Sequence, residues 1–423
     1  MRIQRTLPPT AAPVTLTDLV HGIVAICMGD RYLKRITTEL RDFFRVKHLF
    51  LVSSGKAALT IILQSLISLS PRRKVLIPAY TCFSVPSAIV KATLTVSLCD
   101  IDPGTFDFKY DLLEHSLDDS ILCVVPTHLL GLPSHVSRVK ALARRNGAFV
   151  VEDAAQAMGG EQDGKPLGTL GDVGFLSLGR GKNISCGSGG IILTDSDSIA
   201  QAIERELATL SAPPLLHQLS NLLRLLATHV LIRPTLYWLP AGLSFLRLGE
   251  TRFYTDFPIH RLGGVNAAVL SNWKQHLLES NRTRSAVAKD YEQRLHSTVS
   301  IIPPPSNNGS VYLRLPVILP NRQAKHTLCT LSKSQGLGIS RMYPTAIHAI
   351  GSLRDKLGTQ DYPGATLLAD RLVTLPLHHL INAQDRERIC SLIASVTSPA
   401  TAPQGYAQPL PRYDAARYVD RAL

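Results

Sequence analysis

The sequence predicts an α/β protein: a large, mostly parallel sheet covered by helices, with a smaller α+β unit after it. Two observations carry that prediction. From about residue 49 to residue 195 short apolar runs alternate with helix-length segments. Such alternation implies right-handed crossovers and a sheet covered on both faces. Near Phe257 the regime changes to a long amphipathic helix, a short strand and a further helix.

HLFLVSS reads as the first strand, and GKAALTIILQSLISL as the helix that follows it. KVLIP is a buried strand, and further strands are expected in TLTVSLCDID, ILCVVPT, GAFVVEDA and GGIILTD. Helical segments such as SHVSRVKALARRNG separate them. Ligands of such sheets bind beyond the carboxyl ends of the strands, so the residues after each strand matter most. In the second regime NAAVLSNWKQHLLESNRTRSAVAKDYEQRLHS reads as one long helix, IIPPPSNNGS as a loop, VYLRLPVILP as a strand and KHTLCTLSKSQG as a helix. The expected division is a large unit over 1–256, a small one over 257–400 and a Pro/Ala-rich tail over 401–423.

A chain of 423 residues exceeds one ordinary domain, and 45% hydrophobic residues suffice for a large core. Charged residues are only 18%, yet 45 basic against 32 acidic leave a net charge of +13. That imbalance points to an anionic or apolar partner. Seven scattered cysteines without a C-x-x-C pair argue against a disulfide framework and against a structural zinc site. The start, MRIQRTLPPTAAPV, has no apolar core of a signal peptide, so the cytoplasm is the default compartment.

Two stretches account for the unusual charge. Residues 207–249 hold no acid and only Arg224, Arg233 and Arg247, while Pro213, Pro214, Pro234 and Pro240 prevent one continuous spanning helix. This insertion reads either as helices buried on the body or in a dimer interface, or as an element in peripheral contact with a membrane. From Gln293 to Arg354 there is no acid but a charge of +7, from Arg294, Arg314, Arg322, Lys325, Lys333, Arg341 and Arg354. That stretch reads as a solvated basic face or as attraction for a diphosphate or anionic lipid. No basic-aromatic motif accompanies it, so nucleic acid is not expected.

The segment Val151 to Gly190 carries the chemistry. Asp153 ends a strand, and Lys182 lies in a glycine-, serine- and arginine-containing loop before the next one. A partly desolvated lysine near other cations can lose its proton and attack a carbonyl. A buried carboxylate can hold a pyridine nitrogen protonated. Ser177 and the amides at Ser54 and Gly55 suit a phosphate at a helix N-terminus. Tyr80, just after KVLIP, could offer a ring face.

Taken in order, VSSGKAAL, VLIPAYTC, CDIDPGTF, VVPTHLLG, VVEDAAQAMGG, LGDVGFLSLGRGKN, GSGGIILT and DYPGATLLADRLVTLPLHH resemble the DegT/StrS-type sugar aminotransferases. The likeness spans roughly residues 40–205 and 257–395. It implies a fold-type I transferase dependent on pyridoxal 5'-phosphate and acting as a homodimer. It implies Lys182 as the lysine that bonds the cofactor and Asp153 as the partner of the pyridine nitrogen. Gln156 falls beside the phenolic oxygen. Ser177, with Ser54, Gly55 and Lys56, falls on the phosphate site, and Tyr80 on the ring-stacking aromatic. His128 matches a family histidine and reads more readily as structural. The substrates implied are a keto sugar, nucleotide-linked in most relatives, and an amino-acid donor, glutamate.

The chain departs from the family at two places. Lys56 follows Gly55 where relatives carry threonine, and PIHRL puts Ile259 where relatives carry an asparagine that reaches the partner subunit's phosphate. His260 or Arg261 are the candidates to replace it. Two alternatives stay open: a non-catalytic, membrane-associated scaffold, and a dehydratase or lyase on the same fold. Lys182 and the full set around it favour transamination.

Overall fold

A computed structural model describes residues 4–246, 248–249, 251–302, 309–358 and 360–397. The predicted tail and most of the predicted IIPPPSNNGS loop lie outside these residues.

The first nine strands are β1 (His48–Val52), β2 (Lys74–Pro78), β3 (Thr95–Cys99), β4 (Ile121–Val124), β5 (Phe149–Asp153), the small hairpin β6 (Glu161–Gln162) and β7 (Lys165–Pro166), β8 (Val173–Ser177) and β9 (Gly190–Thr194). Seven of them form one sheet in the order β1-β9-β8-β5-β4-β2-β3. All pairings are parallel except those of β9, which runs against both β1 and β8. The carboxyl ends of β1, β2, β5 and β8 therefore share one edge. The β8–β9 connection turns back at that edge and carries Lys182 with it.

β8 was not evident in the sequence, because its apolar run VGFLS is embedded among glycines. Nor was the helix Leu16–Phe44, which opens with a reciprocal Thr15–Asp18 capping box and kinks at Met28. It crosses the helix Gly264–Val269 where Gly29 meets Gly264, a contact too close for any Cβ.

The long predicted helix is two. Gly264–Val269 ends at Leu270, and Trp273–Leu295 begins after Asn272. Asn272 has non-helical backbone angles, and its Nδ2 donates to Asp18 at 3.1 Å, a tertiary bond that local periodicity does not reveal. The predicted strand VYLRLPVILP shortens to β11 (Leu315–Ile318), which pairs antiparallel with β10 (Ser300–Ile301) and β12 (Leu372–Leu375). The helices Arg322–Gln335 and Ala383–Thr397 pack together beside this small sheet.

The insertion forms the helix Leu215–Leu231 and the short helix Trp238–Gly242. Proline sets their limits, with Pro214 at the N-cap of the first and Pro234 beyond its end. Among the described residues no helix is long and apolar enough to cross a membrane. Leu222 and Leu225 bury against the body, whereas Leu216 (81% exposed) and Leu223 (67%) face outward. Leu16, Val20 and Ile23 of the neighbouring N-terminal helix are exposed as well.

The basic stretch 293–354 is no single surface. Arg294 pairs with Asp290, Arg322 with Asp370, and buried Lys325 donates to the Ala369 carbonyl at 2.7 Å. Arg314, only partly exposed, acts electrostatically on Lys182.

Candidate active site

The phosphate turn is built by close packing. Ser54 caps the helix Gly55–Ile67, its side chain accepting from the Ala57 amide at 3.1 Å. A Cβ on Gly55 would stand 2.9 Å from Ser177 Cβ, so only glycine lets the helix start lie against the end of β8. Ser54 and Ser177 are thereby brought together. Lys56, next in the helix, holds its ammonium 3.5 Å from the Tyr254 ring centroid and 4.5 Å from that of Phe257.

Asp153 ends β5 at 4% exposure and accepts from the Ala155 amide at 3.0 Å. Burial raises its pKa, opposed by that bond and by Lys182 and His128. Lys182, in the β8–β9 connection, is hemmed in by protein but keeps part of its surface open. Burial lowers its pKa, Cys82 and Asp153 raise it, and Arg314 lowers it further.

Gln156 is held at both ends: Nε2 donates to Tyr343 Oη at 3.0 Å and Oε1 accepts from the Leu130 amide at 3.3 Å. His128 is satisfied on both nitrogens, with Nε2 on Glu152 at 2.8 Å and Nδ1 accepting from the Ser134 amide at 3.0 Å.

Tyr80 departs from expectation. It is 1% exposed, its ring 5.4 Å from that of Tyr343, so it offers no open face to a ligand. Cys82, two residues on and only partly buried, is the residue of this turn that acts on Lys182.

The PIHRL segment lies along β1, with an Arg261–Val52 bridge and the Ser53 amide donating to the His260 carbonyl at 2.9 Å. Arg261 donates to the Leu207 carbonyl through Nε and Nη2 and is committed there. His260 lines a cleft of about 380 Å³ against the phosphate turn, together with Lys56, Arg180, His217, Arg224 and Arg261. None of its lining residues is acidic. The insertion helix supplies His217 and Arg224, so this segment forms one wall of the site region.

Sequence reasoning missed Cys82, Tyr343, Arg284 and Arg314. Arg284 left a signal, since it shares one helix face with buried Leu277, Val287, Ala288 and Tyr291, where an arginine is out of place, and Arg314 belongs to the acid-free basic stretch noted above.

These residues fit pyridoxal phosphate. Lysine and buried carboxylate act on each other electrostatically, and two serines and a helix start make a phosphate turn. The buried hydroxyls of Thr81 and of Thr127, which is bridged to Asp153, have no hydrogen-bond partner among the described residues.

The family model for the DegT/DnrJ/EryC1/StrS aminotransferase family matches residues 22–219 and 257–394. The unmatched segment between them contains most of the apolar insertion. A pleiotropic regulatory protein of Geobacillus stearothermophilus is 27% identical over 87% of this chain and 89% of its own length. The UDP-2-acetamido-2-deoxy-3-oxo-D-glucuronate aminotransferase of Pseudomonas aeruginosa is 25% identical over 84% and 88%. A sugar aminotransferase structure from Streptococcus pneumoniae, described as its PLP-form, superposes with a TM-score of 0.76 at 16% identity, over 93% of this chain and 98% of that one. This chain belongs to the DegT/DnrJ/EryC1/StrS aminotransferase family and is a pyridoxal-phosphate-dependent aminotransferase.

Proposed function

We propose that the enzyme transfers an amino group from glutamate to the keto group of a nucleotide-linked sugar, in polysaccharide, glycolipid or secondary-metabolite synthesis. The observation that carries this reading is the convergence of Lys182, Asp153, Ser54 and Ser177 at one sheet edge, beside an acid-free cationic cleft. Such a cleft favours a substrate with phosphate charges. The Pseudomonas relative acts, by its name, on a UDP-linked keto sugar.

Pyridoxal phosphate, when bound, supplies an electron sink for the substrate carbon. Lys182 would hold it through its amine and would carry a proton to and from the substrate's α-carbon. Asp153 holds the ring nitrogen protonated. Gln156, fixed by Tyr343, would serve the phenolic oxygen. Ser54, the Gly55 amide and Ser177 hold the phosphate, and Lys56 adds charge nearby.

The same reading takes residues 1–256 as the cofactor-binding unit and 257–400 as the smaller one. It takes the enzyme as a cytoplasmic homodimer in peripheral contact with a membrane through 207–249. The exposed apolar residues of the N-terminal and insertion helices support a covered face there. Light scattering and liposome flotation, with and without 207–249, test the dimer and the membrane contact.

The central experiment is borohydride reduction followed by peptide mass analysis. The cofactor should be fixed to the Lys182 peptide, and Lys182→Ala should lose both the adduct and the visible absorbance. Glutamate should convert the cofactor of the unmodified enzyme to its amine form. Purified protein that takes up no pyridoxal phosphate would overturn the reading.

A further inference from the structure

The insertion helix Leu215–Leu231 turns its polar face inward. His217, Asn221, Arg224 and Thr228 recur at three- and four-residue spacing and line the cleft beside the phosphate turn. Leu216, Leu223, Leu226 and Val230 fall on the opposite face and are exposed. That is the reverse of an ordinary surface helix, whose polar side meets water. Polar bonds to the body fix the orientation. Asn221 Nδ2 donates to the Cys186 carbonyl at 3.3 Å, and Gln218 Oε1 accepts from the Val265 amide at 3.3 Å. Arg224 lies in the segment that the family model leaves unmatched.

Lys56, Arg180 and His260 line the same cleft. The guanidiniums of Arg180 and Arg224 make no hydrogen bond or ion pair with any described residue. His260 Nδ1 is buried without a partner among the described residues, and its ring stands 6.4 Å from that of His217. Cations gathered without an acid repel one another, and an anion in the cleft would relieve that repulsion. A volume of about 380 Å³ suits a small organic ligand rather than a lone ion. The cofactor's phosphate has its own place at Ser54, Gly55 and Ser177. The other phosphates in the proposed reaction are those of the sugar nucleotide. Its diphosphate hangs on the anomeric carbon, a sugar ring away from the keto carbon that must meet Lys182. Arg180 is within that reach: it stands just before Lys182, in a turn closed by the Lys182 amide donating to the Gly179 carbonyl at 3.4 Å.

We propose that Arg224 and Arg180, with His217, form the subsite for the diphosphate of the sugar nucleotide, and that the insertion helix is thereby a substrate-binding wall. The assignment deepens the keto-sugar reading and rests on it. Its test measures binding without turnover, so its failure is separable from failure of the borohydride and glutamate experiments.

Holoenzyme is titrated calorimetrically with inorganic pyrophosphate, and with inorganic phosphate as the second probe. Pyrophosphate should bind at least about tenfold more tightly than phosphate. Arg224→Gln should weaken pyrophosphate binding at least about tenfold, the loss of one charge-assisted pair. Arg224→Lys should recover part of the loss, Arg180→Gln should reproduce it, and all three variants should retain cofactor with unchanged affinity. At least one of UDP, GDP, CDP and dTDP should compete with pyrophosphate and bind more tightly than it does. Pyrophosphate binding unchanged in both glutamine variants, cofactor lost in parallel with pyrophosphate, phosphate bound as tightly as pyrophosphate, or no competition from any of the nucleotides would each overturn the proposal. Both arginines are exposed, so the variants should fold; should Arg224→Gln fail to do so, Arg180→Gln carries the comparison.

Discussion

His128 donates from Nε2 to Glu152 Oε1 at 2.8 Å, with both side chains fully buried. The donor is fixed because Nδ1 accepts from the Ser134 amide. Glu152 also accepts from the amides of Gly168, Leu170 and Gly171 at 2.6–2.9 Å. One carboxylate thus ties β5 to the loop before β8, and the next residue is Asp153.

Glu152→Ala therefore leaves an imidazole and three amides buried without an acceptor. It should cost about 3–5 kcal/mol of unfolding free energy, as expected when a buried pair loses one partner. Urea denaturation measures the loss. Because the change loosens Asp153, the holoenzyme's visible spectrum should shift along with it. A variant as stable as the parent would show that Glu152 does not organise this strand end.

Much of the site was legible because its residues follow strands. Ser54 and Asp153 lie at the ends of strands read from the sequence, and a parallel sheet gathers such ends at one edge, whereas Ser177 and Lys182 were placed by the resemblance. What could not be read arrives from far along the chain. Tyr343 reaches Gln156 through tertiary packing, with no local pattern around it. The break at Asn272 depends on Asp18, and β8 hides among glycines that are needed for close approach. Tyr80 was misplaced for the opposite reason: the strand end was clear, but not which residue of the turn faces inward.

Cys82 makes that last point testable. It is partly buried beside Lys182, whereas Cys99, Cys123, Cys186 and Cys329 are buried. In the cofactor-free protein a maleimide should modify Cys82, and loading with pyridoxal phosphate should slow that reaction while leaving exposed Cys27 unaffected. Peptide mass mapping over time gives both rates. Equal rates at Cys82 with and without cofactor would place this side chain outside the recess.

The N-terminal arm should matter for cofactor retention. Arg5 donates through Nε and Nη2 to Asp385, at 3.0 and 2.7 Å, and through Nη2 to the Leu380 carbonyl. Beyond it the Leu7 amide donates to the Gly336 carbonyl, and Thr10 Oγ1 donates to the carbonyl of Gly181, next to Lys182. Arg5→Ala leaves Asp385 without its cation. Because Arg5 is partly exposed, the expected cost is only about 1–2 kcal/mol. Urea denaturation measures that cost, and stopped-flow displacement should show faster cofactor release. Unchanged release with reduced stability would confine the arm to a purely structural role.

His378 should make the enzyme sensitive to mild acid. Burial pushes its pKa down from 6.5 to about 3, against a smaller upward pull from the Pro8 carbonyl. Below pH 6.5 the unfolded chain takes up a proton that the folded one refuses, so folding loses stability as pH falls from about 6.5 towards about 3. Above that window the group contributes no further change. One such histidine gives a slope of at most about 1.4 kcal/mol per pH unit. His378→Asn can keep a donor for Pro8 but does not titrate, so its melting temperature should fall less steeply between pH 6.5 and 4.5, the upper part of the window, above the range where most carboxylates take up protons. Parallel pH–melting curves for the two proteins would instead mean that other groups set the acid limit.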